Sequence, residues 1–252
     1  MFLARNFLLA GALGSVMSVS FDFDGEVALV TGVGGALGSS VADAFLEAGA
    51  TVCGADVVEP DNDDFQLDDP DRIHFHQGDF TDESDVVDTV DAIVGEHGRL
   101  DYLLNIAGTW RGGDPIHETD AGIFDFLFGV NLKTMFLASK HALPHIQDTG
   151  GAVVSVSARS SLEGGEGDGM YRATKAGVRI LTETIAEENL GTVRANSVMP
   201  SVIDTPMNRD MMPDADFEKW VDPDEIAAVM LFLCSDAAGV TSGAAVPVYG
   251  EA

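Results

Sequence analysis

Val27-Ala28-Leu29-Val30-Thr31-Gly32-Val33-Gly34-Gly35-Ala36-Leu37-Gly38-Ser39 decides the architecture. Its first four residues are a short apolar run of the kind that forms a buried strand. A glycine-rich turn follows, and then a stretch with helical periodicity over 39–48. The same alternation repeats along the chain. Strands are predicted at 50–55, 73–77, 100–106, 151–156, 193–198 and 245–248. Helices are predicted at 83–95, 122–143, 171–189 and 224–233, and 61–71 reads as an acidic, solvated loop. Strands separated by helices of about ten residues or more imply βαβ units and a mostly parallel sheet. The chain therefore reads as a single α/β domain over residues 21–252, with a doubly wound parallel sheet. Residues 1–20 read as an extension that is disordered, or as a start assigned too early with Met17 as the true initiator.

In such a sheet, ligands bind at the carboxyl ends of the strands, and the unusual residues fall there. Gly32, Gly35, Leu37 and Gly38 form the turn between the first strand and its helix, where backbone N–H groups and a helix N-terminus can hold a pyrophosphate. Asp56 ends the second strand, 24 residues after Gly32. A carboxylate there accepts from both ribose hydroxyls of NAD(H) and repels the 2′-phosphate of NADP(H), and no Arg or Lys occurs between Gly54 and Pro70 to counter it. NAD(H) is thus expected over NADP(H), on a Rossmann-type domain. Asp79 and Phe80 follow the third strand and are expected at the adenine edge. Asn105, Ala107 and Gly108 close the fourth, where small residues let a cofactor lie against the backbone.

Composition narrows the class further. Forty-two acidic against 13 basic residues give a net charge of −29. That surface repels a phosphate backbone, so no nucleic-acid partner is expected, and its self-repulsion calls for salt screening. The expectation is a cytoplasmic protein from a high-salt cell. The plain alternative is an ordinary acidic enzyme. Cys53 and Cys234 support neither a disulfide framework nor a zinc site. His74 and His76 alternate as in a strand, and their sequence neighbourhood offers no clear further ligands, so no metal is expected. Arg5, Asn6, Gly11 and Gly14 interrupt the apolar N-terminus, so no membrane span is expected there.

Tyr171-Arg172-Ala173-Thr174-Lys175 puts a phenol and an ammonium one helical turn apart on one face. A nearby Lys⁺ is expected to lower the phenol's pKa from about 10, so that Tyr171 can exchange a proton with a substrate oxygen. With the segments Thr31 to Gly38, Asn105 to Gly108 and Val130-Asn131-Leu132, this pair resembles the short-chain dehydrogenase/reductase family over nearly the whole chain. The resemblance implies that Lys175 also binds the nicotinamide ribose and that Asn131 helps hold a proton-relay water. It also implies that Pro200 and Thr205 lie on the nicotinamide side.

The chain departs from the family pattern at Ala36, Ile106 and Ser201. Above all, it has Ala158 where a serine usually stands thirteen residues before the tyrosine; Ser157 is the preferred substitute, with Ser160 or no serine at all as the alternatives. Segments around Ala55-Asp56-Val57, Ala158-Arg159-Ser160 and Asp204-Thr205-Pro206 also resemble dihydropteridine reductases, which implies NADH use and a pocket wall at Trp110. Arg111 could pair with an anionic substrate group or be solvated in a loop, and Met207, Met211, Met212 and Phe217 could form a lid or an ordinary helix edge packed on the core.

The expected function is hydride transfer between NAD(H) and a carbonyl or secondary alcohol. The alternatives are reduction of a conjugated C=N substrate such as quinonoid dihydropterin, or NAD(H) binding without turnover. Family resemblance implies a homodimer or homotetramer packed through helices 122–143 and 171–189.

Overall fold

A computed structural model describes Ser20 to Glu251; the reading of residues 1–19 as an extension lies outside the described residues. The first strand, β1 (Val27–Thr31), enters the turn and continues into helix α1 (Ala36–Glu47). Next come β2 (Thr51–Asp56), β3 (His74–Gln77), α2 (Glu83–His97) and β4 (Tyr102–Asn105). Helices α3 (Ala121–Leu127) and α4 (Thr134–Thr149) are followed by β5 (Ala152–Val156), α5 (Gly169–Glu188) and β6 (Arg194–Pro200). Helices α6 (Pro206–Met211) and α7 (Pro223–Cys234) lead to β7 (Ala245–Val248). All seven strands pair in parallel in the order β3-β2-β1-β4-β5-β6-β7. This is the doubly wound sheet expected, with its order reversing between β1 and β4.

The strands are apolar on both faces because both faces are covered. Ala28, Val30, Val52, Leu104 and Val154 point into a core closed by α1 and α7. Val27, Leu29, Leu103 and Val153 point the other way, against α2, α4 and the end of α5. Burying side chains of this kind stabilises the fold by about 1.5–3 kcal/mol each.

Three expectations are corrected. The helix predicted over 122–143 runs from Ala121 to Thr149 and contains a π-helical turn, Phe128–Lys133. Its start is set by Asp120, whose carboxylate accepts from the Gly122 N–H at 2.7 Å. By length and composition this helix could cross a membrane, but Met135, Leu137, Ala138, Ala142 and Ile146 bury one face of it against the sheet. The 61–71 segment is not wholly solvated. Leu67 is buried, Phe65 packs edge-on against Phe75, and the Gln66 N–H donates to Gly34 O at 2.8 Å. Finally, His74 does have further potential ligands beside it, Glu96 and His97 at the end of α2; they lie more than twenty residues along the chain, so the local sequence concealed them.

Candidate active site

A cleft of about 560 Å³ opens along the carboxyl ends of the strands. At one end stands the glycine turn. Gly32 has φ +70°, and a Cβ there would come within 2.9 Å of Ala107 Cα; a Cβ on Gly38 would meet Gly32 O at 2.0 Å. The turn is therefore folded as tightly as backbone allows, directly under α1. The N-cap of α1, Gly35, supplies no side-chain cap, and the first turn carries no acidic residue. Backbone donors and a positive helix end thus face the cleft. This fits a pyrophosphate, and with it a dinucleotide of the nicotinamide class.

Asp56 closes that end. Its Oδ2 accepts from the Gly34 N–H at 2.9 Å and its Oδ1 from the Val58 N–H at 3.0 Å. The carboxylate is fixed at the cleft wall, and each oxygen keeps a further lone pair for a ribose hydroxyl. Asp79 sits at the rim with its Oδ1 already taken by the Thr81 N–H and hydroxyl, and the Phe80 ring is buried behind it; both line the cleft, as do Gly35, Leu37, Ala107 and Gly108.

Asn105 does not join them. Strand alternation turns its side chain under the sheet, where Nδ2 donates to Ser139 Oγ (3.3 Å) and Ser155 Oγ (3.2 Å). Its expected contact with a cofactor is corrected to a structural one that ties β4 to β5 and α4. Thr31, which the sequence pattern did not single out, plays a similar part. Its Oγ1 accepts from the N–H groups of Ile106 and Ala107 and donates to Leu104 O. Its position as the last residue of β1 was the available signal.

At the other end of the cleft, α5 presents Tyr171 and Lys175. Lys175 is buried, and its Nζ donates to Val156 O at 2.9 Å. Gly108 makes room for it: a Cβ there would come within 3.1 Å of Lys175 Nζ and 3.0 Å of Asn131 Oδ1. Burial brings the Lys175 pKa down to about 8. The expected lowering of Tyr171 is not met. Its ring centroid lies 6.0 Å from Nζ, and burial, followed by the Asp168 carboxylate, pushes the phenol up to about 12. Burial and the neighbouring carboxylate both penalise the charged phenolate.

Asn131 lies in the π-helical turn, buried. Its Oδ1 accepts from the Thr109 N–H at 2.7 Å, and its Nδ2 donates to Thr109 O and Thr174 Oγ1. Both amide donors are spent on Thr109 and Thr174, so the side chain pins the loop after β4. Ser157 lines the cleft, but its hydroxyl donates to Lys175 O at 2.8 Å. The expectation that it reaches the substrate oxygen is corrected accordingly: it holds the end of β5 to α5. Ala158, at the usual serine position, is buried against the same cleft.

Pro200 and Thr205 line the far wall, and Thr205 also caps α6, its Oγ1 accepting from the Asn208 N–H at 3.2 Å. Ile203, Met207 and Asn208 join that wall. Trp110 lies between this cleft and a smaller adjoining hollow of about 270 Å³. Arg111 belongs to the hollow and not to the cleft, its guanidinium 3.8 Å from the Phe126 ring centroid.

Comparison with known proteins finds relatives of the same fold. Residues 32–250 match the family model described as enoyl-(acyl carrier protein) reductase. The chain is 30% identical over 241 residues to the 3-oxoacyl-[acyl-carrier-protein] reductase of Thermotoga maritima, covering 90% of this chain and 97% of that protein. It is 34% identical to the meso-2,3-butanediol dehydrogenase of Serratia marcescens, covering 91% and 95%. Among solved structures, a short-chain dehydrogenase/reductase of the glucose/ribitol dehydrogenase type from Brucella melitensis superposes with a TM-score of 0.85. Identity there is 27%, over 92% of this chain and 98% of that one.

Proposed function

The chain belongs to the short-chain dehydrogenase/reductase family of oxidoreductases, and on that footing we propose that it transfers hydride between NAD(H) and a carbonyl or secondary alcohol. The observation that carries this reading is that Tyr171 and the buried Lys175 open on the same cleft as the Gly32–Gly38 turn and Asp56. When bound, the nicotinamide supplies or accepts the hydride. Tyr171 gives the substrate oxygen its proton in reduction and takes it back in oxidation. Burial keeps Tyr171 of the free protein protonated at neutral pH, the form that donates the proton in reduction. Lys175 stabilises the phenolate formed when the proton leaves and binds the nicotinamide ribose. Asn131 and Ser157 act as positioning residues that keep Lys175 in place, while Pro200 and Thr205 shape the nicotinamide wall. Asp56 selects NAD(H) by charge.

A second reading is favoured by Ala158 and Trp110. With no serine hydroxyl at the family position and an indole in the wall, the cleft suits a flat conjugated C=N substrate such as a quinonoid dihydropterin. We further propose a cytoplasmic homodimer or homotetramer joined through the outer faces of α3–α4 and α5, where Phe124, Phe136 and Ile180 are exposed.

The test is oxidation of NADH and of NADPH in molar KCl against ketones, aldehydes, sugar-derived keto acids, oxoacyl thioesters and quinonoid dihydropterin. Turnover with NADH and one carbonyl class is the expected result. Turnover with the pterin alone would select the second reading. Tight NADH binding without turnover on any substrate would point to a binding module.

A further inference from the structure

At the opposite edge of the sheet from β7 lies a cluster that the proposed reaction does not use. β3 is the edge strand, and its period of two puts His74 and His76 on one face while Phe75 packs on the other. Helix α2 ends beside that face with Glu96 and His97, before Gly98 turns the chain at φ +75°. His74 Nδ1 lies 3.2 Å from Glu96 Oε1, and the His74 and His97 rings meet edge to face with centroids 4.5 Å apart. One donor atom from each of these three residues lies within 4.8 Å of the other two.

An ion pair between a protonated His74 and Glu96 would explain the first contact and leave His97 unexplained. Its Nε2 is buried without a hydrogen-bond partner, as is that of the neighbouring His76. Each such orphan destabilises the fold unless something outside the chain satisfies it. A metal ion is the simplest group that takes two imidazoles and a carboxylate together.

We propose that His74, Glu96 and His97 bind a divalent transition metal of the zinc class, which pins the edge strand β3 to the end of α2. Two imidazole nitrogens and one carboxylate form a donor set suited to Zn²⁺ or Cu²⁺ and poorly suited to Mg²⁺, which prefers oxygen alone. Bonds of about 2.0–2.2 Å place tetrahedral ligand atoms about 3.5 Å apart. The side chains of His74 and Glu96 are 44% and 56% exposed, free to rotate by the small distance this requires. A water completes the coordination.

The experiment is calorimetric titration of the chelator-treated protein with Zn²⁺, in excess Mg²⁺ to occupy surface carboxylates. One saturable site per chain is expected. His74→Gln and His97→Gln should each weaken it by about tenfold or more. His117→Gln, which removes an exposed histidine also paired with a glutamate, should leave it unchanged. Cu²⁺ bound at the same stoichiometry should show nitrogen hyperfine structure in its electron paramagnetic resonance spectrum, with one nitrogen fewer in His97→Gln. Absence of saturable binding, equal binding by both histidine variants, or a copper spectrum without nitrogen coupling would each overturn the proposal. Circular dichroism confirms folding of each variant, and the two substitutions lie on different elements, so failure of one to fold leaves the other as the test.

Discussion

At Tyr171 burial and the Asp168 carboxylate act together, and they push the phenol up to about 12. Tyr171→Phe removes the transferable proton and little else. It should lower turnover by about two to four orders of magnitude while NADH still binds, as read by nucleotide fluorescence. Lys175 carries the complementary prediction. Its folded pKa is about 8 against an ordinary 10.5, so between those values the unfolded chain holds more protons than the folded one. Stability of the free protein should therefore gain from Lys175 as pH rises through that window, and the cost of its burial is full below it. The buried thiols of Cys53 and Cys234 have raised pKa values and contribute with the opposite sign. The quantity to compare is thus the melting temperature of the wild type minus that of Lys175→Met at pH 8 and pH 10. The difference should become more positive at the higher pH; a constant difference would mean that Lys175 is not perturbed. At Asp56, replacement by Ser removes the charge that would repel a 2′-phosphate, and the NADH-to-NADPH preference should fall by at least about tenfold. An unchanged ratio of kcat/KM values would remove Asp56 from the selectivity.

At the scale of elements, the glycine turn permits a sharp contrast. A Cβ on Gly38 would lie 2.0 Å from Gly32 O, whereas at Gly35 the nearest atom is 3.6 Å away. Gly38→Ala should destabilise the fold by about 1–3 kcal/mol and abolish NADH binding, while Gly35→Ala should be nearly neutral in denaturant unfolding. Equal effects of the two would contradict the tight packing described for the turn. This turn was legible in the sequence because the chain alternates strand and helix around it, and the same periodicity gave the strand order its parallel character. Less legible were features decided by the third dimension. Asn105 sits in a motif expected to face a cofactor, yet strand alternation turns its amide beneath the sheet. The π-helical turn at Phe128–Lys133 has no sequence signature in an otherwise regular helical pattern. Whether Ser157 could serve the substrate depended on where its hydroxyl hydrogen goes, and that was set by the Lys175 carbonyl on another element. The ligands that join His74 come from the far end of α2 and were invisible in its own neighbourhood.

For the whole molecule the dominant quantity is a net charge of −29 on 252 residues. Mutual repulsion on that scale opposes compaction, and salt shortens its range from about 10 Å at 0.1 M to about 3 Å at 1 M. The midpoint of thermal unfolding should therefore rise substantially from low to molar KCl, and a flat response would remove the reading of a protein adapted to concentrated salt. Composition made this charge evident from the start. It bears on solubility and screening, not on fold, so the parallel sheet and the strand ends that form the cleft had to come from pattern.

The proposed chemistry turns on Tyr171 delivering the proton that accompanies hydride transfer. A single-turnover comparison of the wild type and Tyr171→Phe isolates that step, each protein saturated with NADH in molar KCl, on whichever carbonyl substrate gives turnover. Rapid NADH oxidation is expected from the wild type. At equal NADH occupancy, the variant should retain a rate about two or more orders of magnitude lower. Equal rates in the two proteins would contradict the assignment of Tyr171 as the proton donor.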